Sequence, residues 1–219
     1  MVAILITAGP TREYLDDVRF LGNASSGRMG CALAEAALAL GHDATMVLGP
    51  VEVTPPAGAT VLPVVSALDM LAAADGALER HQIVIAAAAV ADWRPARRQA
   101  GKPARQPGAM TLELVPNPDV VATLAARPGS RVVVGFALES VSAGMAAAVA
   151  RGRRKLHDKR LDLCVVNLHD AIGSDAGEFV LCHGDGRDEA LPRCDKASAA
   201  ARIVAAAVDL WRARAPGGV

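Results

Sequence analysis

Short apolar runs alternate with alanine-rich segments along most of the chain. Runs of Val, Ile and Leu are typical of buried strands, whereas alanine-rich stretches bounded by Ser, Asp or Gly are typical of helices. The pattern predicts strands at residues 3–7, 44–48, 60–63, 83–87, 111–115, 131–136, 163–167 and 178–183, and helices at 28–40, 67–80, 119–126, 141–159 and 196–214. Ser66 is the predicted N-cap of the second helix, and Gly41 is expected to stop the first. The alternation predicts an α/β fold with a mostly parallel sheet and helices on both faces.

A long polar segment, residues 8–27, joins the first predicted strand to the first helix. We call it the opening loop. Loops of this length inside compact domains are usually functional. The loop ends in the motif SSG, where the first N–H groups of the helix lack partners within the helix and can bind phosphate. We therefore interpret the opening loop as part of an active site, with Gly9, Ser26 and Gly27 as candidate nucleotide contacts.

Residues 94–108 interrupt the α/β pattern with three prolines, four arginines and one lysine. This basic loop is either a lid over an anionic substrate or a solvated insertion, and composition does not decide between the two. Lys102 is its candidate for contact with nucleotide phosphates, and a solvated loop lysine is the alternative.

The length of 219 residues and the hydrophobic content of 52% suit one α/β domain covering residues 1–219. After residue 163 the pattern changes to strand, turn, strand, turn (184–192) and final helix. This change predicts a hairpin added to the C-terminal side of the sheet. It also makes residues 163–195 a candidate dimerisation element.

Composition and charge exclude several classes of protein. Lys+Arg and Asp+Glu both total 23, so the net charge is zero, and aromatic residues make up only 3%. These values argue against a polynucleotide ligand. The N-terminal residues lack the pattern of a signal peptide, and the apolar runs are too short to span a membrane, which favours a soluble cytoplasmic protein. Cysteines without a C-x-x-C pair and scattered histidines do not indicate a structural metal.

Polar residues follow several of the predicted strands and allow two interpretations each. Asp92 is a candidate for binding ribose hydroxyls or a metal-bound water, or else it caps the turn before Pro95. The amide of Asn23 is a candidate for stabilising a developing anion, or else it bonds to its own turn. For Glu139 the simpler interpretation is charge complementarity with the start of the following helix.

Lys155 and Lys159 stand four residues apart on one predicted helix, with several arginines nearby. They form either a phosphate clamp or a solvated helix end that complements the helix dipole. Familiar catalytic signatures are missing from the sequence: there is no G-x-x-x-x-G-K-[ST], no G-x-G-x-x-G, no Tyr-x-x-x-Lys and no G-x-S-x-G. Hydride transfer and acyl-enzyme chemistry therefore have little support.

An ordered series of motifs resembles one known family. The series is ITAGPTRE with LDDVR, N-x-SSG-x-MG, AAVADW, VPNPD, GFALES, and KLHDK followed by LDL-x-VVN. It resembles phosphopantothenoylcysteine synthetase, the amide ligase of coenzyme A synthesis, over most of the chain. The individual motifs are weak signals, but their order is highly specific.

The resemblance implies a Rossmann-like homodimer that joins 4′-phosphopantothenate to L-cysteine. The nucleoside triphosphate is CTP in most bacterial members and ATP in eukaryotic ones, so CTP is favoured. The carboxylate attacks the α-phosphate to give an acyl nucleotidylate and pyrophosphate, and the amine of cysteine then displaces the nucleoside monophosphate. Mg²⁺ screens the triphosphate, and no flavin is expected. Because the sequence starts just before the first strand, the resemblance implies the ligase half alone, with a separate decarboxylase as a candidate partner.

Residue by residue, the resemblance implies that Asn23 handles the acyl nucleotidylate and that Lys102 helps to form it. The positions that match nucleotide contacts are Ala87, Ala88, Ala89, Asp92, Pro118, Asp119, Val120, Val121, Phe136, Lys155 and Lys159. Small side chains at residues 87–89 leave room for the nucleotide to approach the backbone. The resemblance assigns no metal ligands.

The chain departs from the pattern of many bacterial members at three positions. Arg28 and Arg105 replace lysines, and Ala104 removes a cation from the basic loop. These changes leave two other hypotheses open: a non-catalytic nucleotide-binding subunit, and a nicotinamide-dependent reductase on a Rossmann-like sheet.

Overall fold

The computed structural model describes residues 1–104, 107–139, 142, 144–168 and 176–214. The strands are β1 (Ala3–Ala8), β2 (Arg12–Tyr14), β3 (Phe20–Gly22), β4 (Asp43–Leu48), β5 (Thr60–Pro63), β6 (Ile83–Ala86), β7 (Trp93–Pro95), β8 (Leu114–Pro116), β9 (Val132–Glu139), β10 (Leu163–Leu168), β11 (Ala176–His183) and β12 (Asp188–Asp195). The helices are α1 (Arg28–Ala39), α2 (Ala67–Ala77), α3 (Val120–Ala125), α4 (Gly144–Asp158) and α5 (Lys196–Arg214), and a short 3-10 helix, Leu78–Arg80, follows α2.

Within these residues, eight strands form one sheet in the order β12-β11-β10-β9-β6-β1-β4-β5. Six strands run parallel to one another: β10, β9, β6, β1, β4 and β5. Strands β11 and β12 are antiparallel to their neighbours. The predicted α/β fold with a mostly parallel sheet and an added C-terminal hairpin is therefore confirmed.

Helices cover both faces of the sheet because successive strand residues point to opposite sides. In β1, Ile4 and Ile6 join the core beneath α1 and α5, whereas Leu5 joins the core beneath α2, α3 and α4. Close packing fixes α1 on the sheet: a Cβ at Gly30 would lie 2.2 Å from the Cβ of Ala8. Only glycine fits at this position, which brings the start of α1 directly over the end of β1.

The predicted helices are present, and their ends follow the expected local chemistry. Ser66 caps α2 in a capping box with Asp69, and Gly41, with φ 77°, follows the end of α1. None of the helices in the described ranges is long and apolar enough to cross a membrane.

One strand prediction and one turn prediction were wrong. The run at 111–115 was expected in the main sheet, but β6 pairs directly with β1 and β9, and only Leu114–Pro116 forms a strand, paired with β7 in a separate two-stranded sheet. The segment 184–192 was expected to be a turn, but β12 begins at Asp188. Its polar residues fit an edge strand, which is exposed along one side. The turn expected at 173–177 lies partly outside the described residues.

Candidate active site

The carboxyl ends of β1 and β6 meet where the strand order reverses. From β1 the chain moves outward through β4 and β5, and it then returns to β6 on the other side of β1. Ligands of open parallel sheets bind at such a point. The opening loop leaves β1 here, and the small residues Ala87, Ala88 and Ala89 follow β6. The topology therefore brings two of the predicted site segments together.

The opening loop contains a hairpin that the sequence pattern did not predict. Strands β2 and β3 pair with Arg12 opposite Gly22 and Tyr14 opposite Phe20. The loop also remains paired with the chain after β6: the N–H of Ala89 donates to the Gly9 carbonyl at 2.9 Å, and Pro10 forms a bridge with Ala89. The backbone of the loop is thus held in place at both of its sides.

Gly9 and Gly27 shape the ends of this loop. Their φ angles are 77° and 75°, and a Cβ would lie 2.9 Å from the Cγ1 of Val51 at Gly9 and 2.7 Å from it at Gly27. Both positions therefore require glycine for conformation and for space. Gly27 is also the N-cap of α1 and offers no side chain to the first N–H groups of that helix.

Asn23 links the opening loop to the segment after β6. Its side chain is exposed, and its Nδ2 donates to the carbonyl oxygen of Val90 at 2.9 Å and to that of Ala89 at 3.3 Å. In the alternative interpretation the side chain of Asn23 bonds to its own turn, whereas these contacts are made with a different loop. The asparagine instead lies between the two loops that meet at the point of strand-order reversal.

A pocket of about 340 Å³ opens beside Asn23. The residues that line it include two arginines, Arg12 and Arg28, two serines, Ser25 and Ser26, and one acidic residue, Glu52. Two cations and the start of α1 outweigh the single carboxylate, so the pocket suits an anionic group. Predicted residues Asn23 and Ser26 are together in this pocket.

The basic loop is docked on the opening loop. The N–H of Asp17 donates to the Gly101 carbonyl at 3.1 Å, and the N–H of Gly101 donates back to the Asp17 carboxylate at 2.9 Å. Arg98 pairs with the same carboxylate at 3.0 Å. Lys102 follows directly and is exposed. Its backbone is thus held next to the opening loop. Ala104 is exposed as well, and Arg105 lies outside the described residues.

Lys155 in α4 and Lys159, just after the end of α4, are each paired with a carboxylate at this edge of the sheet. Lys159 Nζ lies 2.7 Å from Asp119, and Lys155 Nζ lies 3.2 Å from Glu139. Asp119 is also the N-cap of α3, where it accepts a hydrogen bond from the N–H of Ala122, so its segment 118–121 and Lys159 are joined. A solvated helix end does not account for these contacts.

The interpretation of Glu139 as a partner of the helix start was wrong. Its side chain is only 12% exposed, and it accepts hydrogen bonds from Arg151 and Lys155, well inside α4. These bonds to two cations lower the pKa of Glu139 despite the opposing effect of burial. Glu139 therefore holds Lys155 in place.

Phe136 lies apart from the lysines. It packs against the core beneath α1 and α5, whereas Lys155 and its partner Glu139 lie on the α4 face of β9. In the registers of the sheet Phe136 falls beside Ala87, one step beyond the pair Ala86 and Gly135. Phe136 and the lysines thus flank the same strand from opposite faces.

Sequence reasoning missed two groups in the pocket. The segment 49–53 after β4 provides one wall, and Arg12 provides a cation. A Cβ at Gly49 would lie 1.9 Å from the carbonyl oxygen of Pro10, so this segment contacts the opening loop directly. The Gly-Pro pair that follows a predicted strand was a usable signal, because β4 ends at the same sheet edge as β1.

A buried carboxylate, that of Asp16, holds the turn of the β2–β3 hairpin. This carboxylate should make the stability of the fold depend on pH. Asp16 accepts hydrogen bonds from the N–H groups of Arg19 and Val18, and these bonds lower its pKa from 3.8 to about 2. Since the folded pKa is below the unfolded one, the stabilisation is complete above pH 4 and is lost as the pH falls towards 2.

We therefore expect wild type to be more stable than Asp16→Asn by a constant amount from pH 7 to about pH 4, and expect this difference to shrink below it. Urea unfolding of both proteins across this pH range measures the difference. A difference that stays constant down to pH 2.5 would contradict the assignment.

No group of three or more His, Cys, Asp and Glu side chains capable of holding a metal ion occurs in the part of the chain that the structure describes. The carboxylate of Asp92 is exposed at the sheet edge. Magnesium that arrives with a triphosphate keeps water and phosphate oxygens as most of its ligands, so one such carboxylate fits it.

The fold and the site together define a Rossmann-like α/β protein with an arginine-lined pocket beside the point of strand-order reversal. The family model described as the DNA/pantothenate metabolism flavoprotein C-terminal domain matches residues 2–210, and the chain belongs to this family. The resemblance to phosphopantothenoylcysteine synthetase is thereby confirmed.

Named relatives agree with this assignment. The chain is 47% identical over 167 residues to the coenzyme A biosynthesis bifunctional protein CoaBC of Vibrio cholerae, covering 75% of the chain and 41% of that protein. The crystal structure of the C-terminal domain of a CoaBC protein has a TM-score of 0.82 at 32% identity and covers 97% of the chain and 96% of that domain. A Cab2 mutant in complex with phosphopantothenate-cysteine, at 18% identity, covers 97% of the chain and 88% of its own length with a TM-score of 0.80, which shows the common fold. The chain thus spans less than half the length of the Vibrio protein.

Proposed function

We propose that the protein is a phosphopantothenate–cysteine ligase of coenzyme A biosynthesis. The observation that carries the proposal is the link made by Asn23, which joins the anion-binding pocket to the backbone after β6. An acid held in the pocket and a nucleotide held at residues 87–92 would meet beside this asparagine. The family relationship supports the same reaction.

The reaction has two steps. In the first, a carboxylate oxygen of 4′-phosphopantothenate attacks the α-phosphate of a nucleoside triphosphate. The new O–P bond replaces the bond to pyrophosphate, which leaves. In the second, the amine of L-cysteine attacks the acyl carbon, the bond to the nucleoside monophosphate breaks, and the amine proton passes to solvent or to a nearby base. Activation is needed because a free carboxylate is a poor electrophile.

Each side chain has a role that follows from its charge and place. Arg12 and Arg28 would hold the phosphate of phosphopantothenate, since guanidinium groups suit phosphate oxygens. Lys155 and Lys159 would exchange their carboxylate partners for nucleotide phosphates. Lys102 would stabilise the charge that develops as pyrophosphate leaves.

The segments proposed to bind the nucleotide either have small side chains or are held rigidly. Both features allow the nucleotide to approach the backbone closely. Residues 87–89 are alanines, and residues 118–121 begin α3, which packs on the sheet through Val120 and Leu124. We propose CTP rather than ATP as the nucleotide, with Mg²⁺ bound to its phosphates and Asp92 as a candidate carboxylate ligand. Bound Mg²⁺ would neutralise part of the triphosphate charge.

The proposed protein is a cytoplasmic homodimer. The element at 163–195 stays one candidate for the dimer contact, and the β7–β8 pair is a second. On the β7–β8 pair, Trp93 is 53% exposed and Leu114 is 38% exposed, and both lie on one face of the pair. Exposed apolar patches of this kind mark contacts between proteins.

One assay tests the proposal and separates it from the alternative. Pyrophosphate release is measured with CTP, ATP, GTP and UTP, each with and without phosphopantothenate and cysteine. We expect release that requires phosphopantothenate, is strongest with CTP, and is followed by amide formation only when cysteine is present. Nucleotide binding without pyrophosphate release would instead identify a non-catalytic subunit.

A further inference from the structure

Asn117 lies between β8 and α3 and uses its polar atoms to join its own segment to residues 91–94. Its backbone N–H donates to the Asp92 carbonyl at 2.8 Å, and its Nδ2 donates to the Ala91 carbonyl at 2.8 Å. Its Oδ1 accepts a hydrogen bond from Arg94 at 3.1 Å. Both the donor and the acceptor of the amide are therefore engaged, in a fixed orientation.

The peptide at Ala91 is held from two sides. Its N–H donates to the buried hydroxyl of Thr11 at 2.9 Å, and its carbonyl accepts from Asn117. A continuous chain of hydrogen bonds thus runs from the opening loop through residues 89–92 to the segment 118–121. Asn117 ties the last two together next to the β7–β8 pairing, and the site roles already given do not use it.

We propose that Asn117 is a positioning residue that sets the distance between the two nucleotide-binding segments, 87–92 and 118–121. The inference rests on the proposed function, which places the nucleotide between these segments. A shift of segment 118–121 changes nucleotide contacts, whereas no residue of that segment lines the pocket beside Asn23. The effect of Asn117 should therefore be larger on the nucleotide than on the other substrates.

Two variants test this role. Asn117→Ala removes the amide, and Asn117→Asp keeps its shape but replaces the Nδ2 donor by an oxygen that faces the Ala91 carbonyl. Lost bonds and an uncompensated carbonyl should raise the KM for the nucleotide about 10-fold in Asn117→Ala and further in Asn117→Asp. The KM for cysteine should change less than about two-fold, because the lost bonds lie in the nucleotide segments.

Gln82→Ala is the matched control. Gln82 is a side-chain amide at the opposite edge of the sheet, where it accepts a hydrogen bond from the N–H of Ala3 at 2.8 Å. Its loss should lower thermal stability, as Asn117→Ala does, and should leave both KM values unchanged. A purely structural role of Asn117 would make the two alanine variants alike, and equal increases in both KM values would overturn the inference.

Equilibrium binding of the nucleotide separates this inference from the proposed function. Wild type that binds the nucleotide without turnover refutes the ligase, and a weaker Kd in Asn117→Asp then still supports the positioning role. An active wild type with an unchanged nucleotide KM and Kd in Asn117→Asp refutes the positioning role alone. Wild type that neither binds nor turns over nucleotide refutes both.

Discussion

Replacing Asn23 by alanine is expected to slow amide formation about 100-fold while pyrophosphate release falls much less. The Asn23 amide points at the Ala89 and Val90 carbonyls, beside the place where the activated acyl group would form. Loss of this donor removes a group that orients the acyl nucleotidylate for attack by the amine. Activation of the acid depends instead on cations from other elements.

Rapid quenching of a single turnover measures both steps in one experiment. Asn23→Asp should impair amide formation as much as Asn23→Ala, because a carboxylate has no N–H to donate and adds a negative charge beside an anion. Asn167→Ala is the control, since it removes an asparagine from the same sheet edge in β10. Equal losses in both steps for Asn23→Ala would contradict the assigned role.

Replacing Lys102 by alanine should have the opposite profile, with pyrophosphate release about 100-fold slower. Gly101 is docked on Asp17, so the backbone next to Lys102 is held against the opening loop before any ligand arrives. A mobile cation that completes the site is most useful when charge develops on the leaving pyrophosphate. Cysteine attack on a preformed acyl nucleotidylate should be nearly unaffected.

Arg97→Ala is the matched control for Lys102→Ala, because it removes one positive charge from the same basic loop. Pyrophosphate release is followed at saturating nucleotide for both variants. If general attraction of the nucleotide is all that the loop supplies, the two variants will lose the same activity. A loss confined to Lys102→Ala supports a contact made in the transition state.

The parts of the fold that depend on local chemistry could be predicted from the sequence. The helix over 196–214 and the Ser66 cap were read correctly, because propensity and capping act within a few residues. The β2–β3 hairpin was missed because each of its strands is only three residues long and their pairing depends on the loop's attachment to Ala89.

Only those parts of the site whose residue types are unusual for their position in the sequence could be predicted. Asn23, Lys155 and Lys159 stand out in the sequence. The pairing of Glu139 with Arg151 and Lys155, however, depends on how α4 packs against β9. The wall at 49–53 and the cation of Arg12 likewise depend on strand order, which places β4 beside β1. Tertiary neighbours of this kind leave no periodic signal along the chain.

The bridge between Pro10 and Ala89 extends the pairing of β1 and β6 beyond the ends of both strands. Many open parallel sheets offer their ligand a cleft at this point. Here main-chain pairing closes the space between the two strand ends. Reactants must therefore bind above this paired backbone and enter from the solvent side. The paired segments cannot separate during turnover without breaking main-chain hydrogen bonds. The loops above them must therefore move to accommodate a bulky nucleotide.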